Sequence, residues 1–100
     1  SLSSKRATAL ALIVSELVSN ASKHALHGAA PRLRVRLEQA NEGLRLRVED
    51  SGPGLPPEFD LDRDANVGLQ VVRTLAERDL AGKLTLSTGP GLCAAVWFPW

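Results

Sequence analysis

An α+β two-layer sandwich, with helices packed on one face of a sheet, is the fold this sequence predicts. Three observations predict it. A long amphipathic segment opens the chain, at about residues 5–26. Two strictly alternating segments follow, Arg32-Leu-Arg-Val-Arg-Leu-Glu38 and Leu44-Arg-Leu-Arg-Val-Glu49. A second helical segment and a second strand pair then complete the order helix, two strands, loop, helix, two strands.

The first helix shows three faces when residues are placed about 100° apart. Leu10, Ile13, Val14, Leu17, Val18, Ala21 and Ala25 form a broad apolar face that contacts the core. Ser15, Ser19 and Ser22 form a small polar face. Glu16, Asn20, Lys23 and His27 form a third stripe, with His24 beside it. A carboxylate, an amide oxygen and an ammonium in register suit a metal–phosphate group, with hard oxygen ligands and a point charge. The same stripe also reads as a solvated helix face carrying a Glu-to-Lys pair. Gly28 suits a left-handed cap, and Pro31 blocks continuation.

The alternating segments read as a hairpin around Asn41-Glu42-Gly43. Leu33, Val35, Leu37, Leu44, Leu46 and Val48 are expected to face the core. Arg32, Arg34, Arg36, Arg45 and Arg47 face the other way. Clustered arginines can bind phosphate backbones, but no aromatic residue is interleaved for base stacking, so this face reads as the solvated side of the sheet.

The second strand runs into Asp50-Ser-Gly52-Pro-Gly54. Glycines two apart let a ligand approach the backbone, because no Cβ intrudes. An aspartate held just before such a turn can accept from a flat donor such as an exocyclic amine. Residues 56–67 carry Pro56, Pro57, Asp60, Asp62, Asp64 and Asn66 and read as a loop. Gly68 opens a helix through about Leu80, with Leu69, Val72, Leu75 and Ala76 on its apolar face and Gly82 at its end. Lys83-Leu-Thr-Leu-Ser87 and Leu92-Cys-Ala-Ala-Val-Trp-Phe98 form the last strand pair.

Composition bounds the class. The chain has 100 residues, 44% hydrophobic and 23% charged, which suits one globular domain over 1–100. A net charge of +1 gives no global pull toward nucleic acid or membrane. Cys93 is the single cysteine, so no intrachain disulfide forms, and its apolar neighbours read it as a buried small hydrophobe. No apolar run reaches the length of a membrane span. The chain opens on Ser1 and contains no methionine, which reads as a piece of a longer protein.

Three segments together resemble a known family. Glu16-Leu-Val-Ser-Asn20-Ala-Ser-Lys23-His24-Ala25 resembles the N box of the GHKL ATPase superfamily, which includes gyrase, Hsp90, histidine kinases and MutL. Asp50-Ser-Gly52-Pro-Gly54 resembles its first glycine box, and Val67-Gly68-Leu69-Gln70-Val71-Val72 its second. The Lys-His-Ala version of the N box and Gly-Leu-Gln-Val-Val-Arg-Thr-Leu most resemble the catalytic ATP-binding domain of bacterial sensor histidine kinases, with a short lid like that of the HWE-like subfamily. The resemblance runs over about residues 7–99.

This resemblance implies a Bergerat-type sandwich with a mixed, largely antiparallel sheet. A complete domain of this family usually begins with a strand before the first helix, and that strand is expected to be absent here. The implied function is to bind Mg-ATP and donate its γ-phosphoryl group to a histidine on a separate dimerisation domain. Transfer by this domain alone is expected to be poor or nil.

Asn20 would bind Mg²⁺ across the phosphates, with Glu16 as a further metal candidate, and Lys23 would contact phosphate oxygens. Glu16 would sit near the γ-phosphate, orienting the metal shell or polarising the nucleophile. Asp50 would accept from the adenine amine, with Gly52 and Gly54 admitting the purine. Gly68 and Leu69 would offer the phosphate a helix N-terminus. His24 would lie beside the nucleotide and is not the phosphorylated histidine. A response regulator is the implied indirect partner. No nucleic acid, no direct membrane contact and a cytoplasmic location are expected, with a parent protein that membrane anchoring would suit.

Asn66 stands where many members have the first glycine of a Gly-x-Gly pair, and Leu92 where a threonine or serine is usual. Phe59 is the only aromatic residue of the short lid. The alternatives are an anti-sigma-factor-type serine kinase and a degenerate regulatory nucleotide-binding module without transfer.

Overall fold

The computed structural model describes residues 3–24, 33–51, 58–88 and 91–99. Its elements are α1 (Ser4–His24), β1 (Leu33–Ala40), β2 (Gly43–Asp50), α2 (Leu61–Asp64), α3 (Val67–Thr74) with a π-helical turn (Leu75–Asp79), β3 (Lys83–Thr88) and β4 (Leu92–Pro99). The four strands form one sheet in the order β1-β2-β4-β3, antiparallel at every pairing. α1 lies over β2, while α3 and its π turn pack beside α1 over β3 and β4. This is the predicted α+β sandwich.

Helix α1 starts with a serine cap. Ser3 Oγ accepts from the Arg6 N–H at 3.2 Å, satisfying one of the donors a helix start leaves open. The fully covered stripe is Ala9, Ile13 and Leu17, with Leu10, Val14 and Val18 at its margin. Asn20 continues that stripe at 7% exposure. It therefore sits on the buried side of the helix, where the sequence reading had set it on a separate polar face. The reason is tertiary: α3 packs against that flank of α1 and covers it. Ala21 belongs to the side chains not described, and Ala25, Leu26, His27, Gly28, Pro31 and Arg32 lie outside the described residues.

The hairpin turns on Asn41 and Glu42, both with positive φ (49° and 64°), and pairs Ala40 with Gly43. Positive φ at both central positions matches the right-handed twist of the strands. Gly43 admits a close crossing, since a Cβ there would lie 2.3 Å from the Phe98 carbonyl oxygen.

Register places Leu33, Val35 and Leu37 opposite Asp50, Val48 and Leu46, on the helix-facing side. Leu46 and Val48 are buried and Leu44 half-buried, but Leu33, Val35 and Leu37 stay 41–54% exposed. The expected core role fails for these three because β1 is the last strand in the described sheet and α1 covers β2 more than β1. On the opposite face, Arg34 pairs across from Glu49 and Arg36 from Arg47, and Arg47 Nε lies 3.2 Å from Glu38. Strand β4 alternates strictly, with Leu92, Ala94, Val96 and Phe98 buried. Cys93 is out of phase with them, so it is half-buried on the open face and not a core residue.

The segment read as loop contains helix α2. Asp60 caps it, accepting from the Asp62 N–H at 2.8 Å and the Arg63 N–H at 3.3 Å. Phe59 and Leu61 pack against the core from this segment. Helix α3 begins one residue earlier than expected, with Asn66 as its N-cap. Its end is made by Ala81 at φ 55°, with the Gly82 N–H donating to the Ala76 carbonyl at 2.7 Å. Gly82 serves a close crossing instead, as a Cβ there would lie 2.0 Å from the Trp97 carbonyl oxygen.

Candidate functional site

Where α1 meets the start of α3, the chain leaves a cleft of about 290 Å³ lined by Glu16, Ser19, Asn20, Asn66, Val67 and Gly68. Helical spacing brings Glu16 and Asn20 to neighbouring turns of one flank, and α3 delivers Gly68 against them. The fit is close: a Cβ at Gly68 would lie 2.8 Å from Glu16 Oε2. A side chain at this position would make the Glu16 carboxylate turn aside.

Asn66 ties the two helices together at this point. Its Oδ1 accepts from the Leu69 N–H at 2.8 Å, and its Nδ2 donates to Asn20 Oδ1 at 2.9 Å. Its backbone carbonyl accepts from the Gln70 N–H at 3.0 Å. Leu69 thus offers its N–H to the cap and its side chain, 3% exposed, to the core. Sequence reasoning treated Asn66 as a departure from the glycine pattern. An asparagine directly before a helical run is also a strong N-cap signal, and starting the helix at Gly68 hid it.

Asp50 closes β2, half-buried. Its Oδ1 accepts from the Leu92 N–H at 3.2 Å. Gly91 makes this approach feasible, because a Cβ there would lie 1.9 Å from the Asp50 carbonyl oxygen. The aspartate is therefore held from β4 as well as from its own strand. Lys23 and His24 fall in the last turn of α1, and their side chains are not described. Gly52 and Gly54 lie outside the described residues.

The donor set of the cleft suits a small hard cation bridging phosphates. A carboxylate and an amide oxygen are oxygen ligands, and Mg²⁺ takes one or two protein groups while phosphates and water fill the rest. No cluster of three or more His, Cys, Asp or Glu exists among the described residues. A cation here would depend on the phosphates for most of its shell. The cleft itself supplies the space for such a group, with the Glu16 carboxylate packed directly against Gly68.

Fold and cleft together define a two-layer α+β domain with a polar, oxygen-bearing cleft at the start of a helix. Comparison with known proteins gives its family: the model of the histidine kinase-, DNA gyrase B- and HSP90-like ATPase family matches residues 5–100, and the chain belongs to that family. The sensor histidine kinase PdtaS of Mycobacterium tuberculosis is 44% identical over 85 residues, covering 83% of this chain and 17% of that protein. Blue-light-activated histidine kinase 2 of Erythrobacter litoralis is 35% identical over 83 residues, covering 80% of this chain and 23% of that protein. The chain thus spans a quarter or less of these curated relatives.

Among solved structures, the histidine kinase domain of the Erythrobacter litoralis EL346 blue-light-activated kinase superposes with a TM-score of 0.82 at 32% identity, over 95% of this chain and 48% of that one. The ThkA histidine kinase catalytic domain superposes with a TM-score of 0.79 at 23% identity, over 92% and 66%, and shows the shared fold. Among the described residues, no helix is long and apolar enough to cross a membrane.

Proposed function

We propose that this chain is the ATP-binding catalytic domain of a two-component sensor histidine kinase. It binds Mg-ATP, and its γ-phosphoryl group passes to a histidine on a separate dimerisation domain and from there to a response regulator. The observation that carries this reading is the convergence of Glu16, Asn20 and Gly68 in one cleft at the start of α3. The named relatives support the kinase class over other members of the family.

The residues divide the work by their chemistry. Asn20 offers its amide oxygen to Mg²⁺, with Glu16 beside it. Bound Mg²⁺ supplies charge neutralisation on the phosphates. Glu16 would orient the groups at the transferring phosphate, and the positive end of α3 would favour its charge, with the Leu69 N–H already taken by Asn66. Asp50, held by Leu92, would accept from the adenine amine, and the N-box resemblance assigns Lys23 to the phosphate oxygens and His24 to the nucleotide. Almost all of this is positioning and electrostatics, which is what phosphoryl transfer requires of a protein.

Leu92 and Asn66 favour a second reading, a regulatory module that binds nucleotide without transfer. Transfer from ATP to a supplied histidine-bearing helical domain separates the two.

The first test is a thermal-shift titration with ATP, ADP and GTP, with and without Mg²⁺. Ligand that binds only the folded state raises the melting temperature, by about 2.7 kcal/mol of stability at a hundredfold excess over Kd. An adenine-selective, Mg²⁺-strengthened rise is expected, and Asn20→Ala is expected to remove the Mg²⁺-dependent part while the chain still melts cooperatively. No shift from the folded chain would overturn the reading.

A further inference from the structure

We infer that Asn66 is a positioning residue that determines which end of the Asn20 amide faces the cleft. The inference rests on the proposed metal role of Asn20 for its functional meaning, but the orientation itself follows from hydrogen-bond chemistry. An amide side chain has one acceptor end and one donor end of nearly equal shape, and a half-turn exchanges them. Something must break the tie.

At Asn66 the helix start breaks it. The backbone N–H of Leu69 is a donor with no alternative, and it points at one end of the Asn66 amide from 2.8 Å. That end must be the oxygen. The other end is then the NH₂ group, and it lies 2.9 Å from Asn20. Asn20 must answer with its oxygen. A backbone donor thus specifies, through one intermediate side chain, the orientation of an amide on another helix.

Asn20 is only 7% exposed, so water competes weakly for its ends. Its oxygen carries two lone pairs. One accepts from Asn66, and the second remains for a cation in the cleft. The reversed amide would present an NH₂ group, which cannot ligate a cation. Groups that orient a metal ligand are typically worth about 10- to 100-fold in metal affinity.

Asn66→Ser tests this directly. Serine is an equally good N-cap for the Leu69 N–H, yet supplies no amide donor to Asn20. The Mg²⁺ dependence of ADP binding is measured by calorimetry, beside Mg²⁺-free ADP binding and the melting temperature of the ligand-free chain. The Mg²⁺ concentration for half-saturation is expected to rise about tenfold and by more than Mg²⁺-free ADP affinity falls, while the melting temperature drops because the Asn20 oxygen loses its Asn66 donor. In the Asn20→Asp background both terminal atoms are oxygens, so orientation no longer matters and Asn66→Ser is expected to add nothing further.

An unchanged Mg²⁺ curve for Asn66→Ser, or an effect of equal size in the Asn20→Asp background, overturns the inference. Nitrogen-15 NMR of the ligand-free chain judges it independently of nucleotide. One Asn20 side-chain amide signal pair is expected in the parent and averaged or doubled signals in Asn66→Ser. Two Asn20 orientations in the parent would overturn the positioning role. Absence of Mg²⁺-dependent binding in the parent would instead overturn the functional reading and leave the NMR result to decide this one.

Discussion

Asp50 illustrates how a single side chain serves both fold and site. One carboxylate oxygen accepts from the Leu92 N–H, and the proposed adenine contact draws on the same carboxylate. Asp50→Asn preserves an acceptor for Leu92 but changes the charge and adds a donor. Its ligand-free melting temperature is therefore expected to stay near the parent value, while ATP and ADP affinity falls at least tenfold. Equilibrium binding beside a melting scan checks both halves, and normal ATP affinity would remove the adenine role from Asp50.

At the scale of elements, the sheet and helix α2 invite different tests. Leu37 and Leu46 face each other across β1 and β2, on the same side of the sheet. Leu46 is 2% exposed and Leu37 54% exposed. Truncating a fully buried leucine typically costs about 2–5 kcal/mol through lost transfer energy and the cavity left behind. Leu46→Ala is expected to fall in that range and Leu37→Ala well below it, as denaturant unfolding of the two variants will show.

Charged side chains brace helix α2 beside the packing of Leu61 against the core. Asp60 caps it, Arg63 pairs with Asp64 at 2.8 Å, and Arg73 of α3 pairs with Asp62 and with Glu77. The Arg63 guanidinium, with help from the Asp60 N–H, pushes the Asp64 carboxyl down to about 2 from its usual 3.8. A carboxyl held below its unfolded value stabilises the folded state fully at pH above about 3.8, and that contribution is lost as pH falls through about 2. α2 is therefore expected to keep its order from neutral pH down to about pH 4 and to loosen below it. Asp64→Asn should remove that step. Amide shifts of residues 60–64 followed through an acid titration report it.

Over the whole molecule, protection follows strand order. β2 and β4 are central strands, paired on both sides, and carry the buried Leu46, Val48, Ala94, Val96 and Phe98. β1 is paired only to β2 within the described sheet and keeps its apolar residues exposed. Stability is not uniform in a domain, and exchange of weakly packed elements proceeds by local opening. Amides of β4 are expected to exchange only through global unfolding, and those of β1 at least tenfold faster. Equal protection in both strands would show that β1 is covered as firmly as the centre.

The sequence by itself determined the order of the long elements and the two strand pairs, but not the short helix α2, because alternation and helical periodicity are local properties of longer segments. It also singled out Glu16 and Asn20 by helical spacing and Gly68 by resemblance, and the structure brings the three to one cleft. Packing was not legible there. Periodicity says which residues share a face, but not what lies over that face. Only the tertiary structure decided that Leu33, Val35 and Leu37 remain exposed, that Asn20 lies on the buried flank of α1, and that Cys93 turns to the open side. The Asn66–Asn20 contact was likewise out of reach, because it joins residues 46 positions apart whose meeting depends on how α3 lies against α1. Helix–helix contact is set by the whole core, and no local pattern in either helix encodes it.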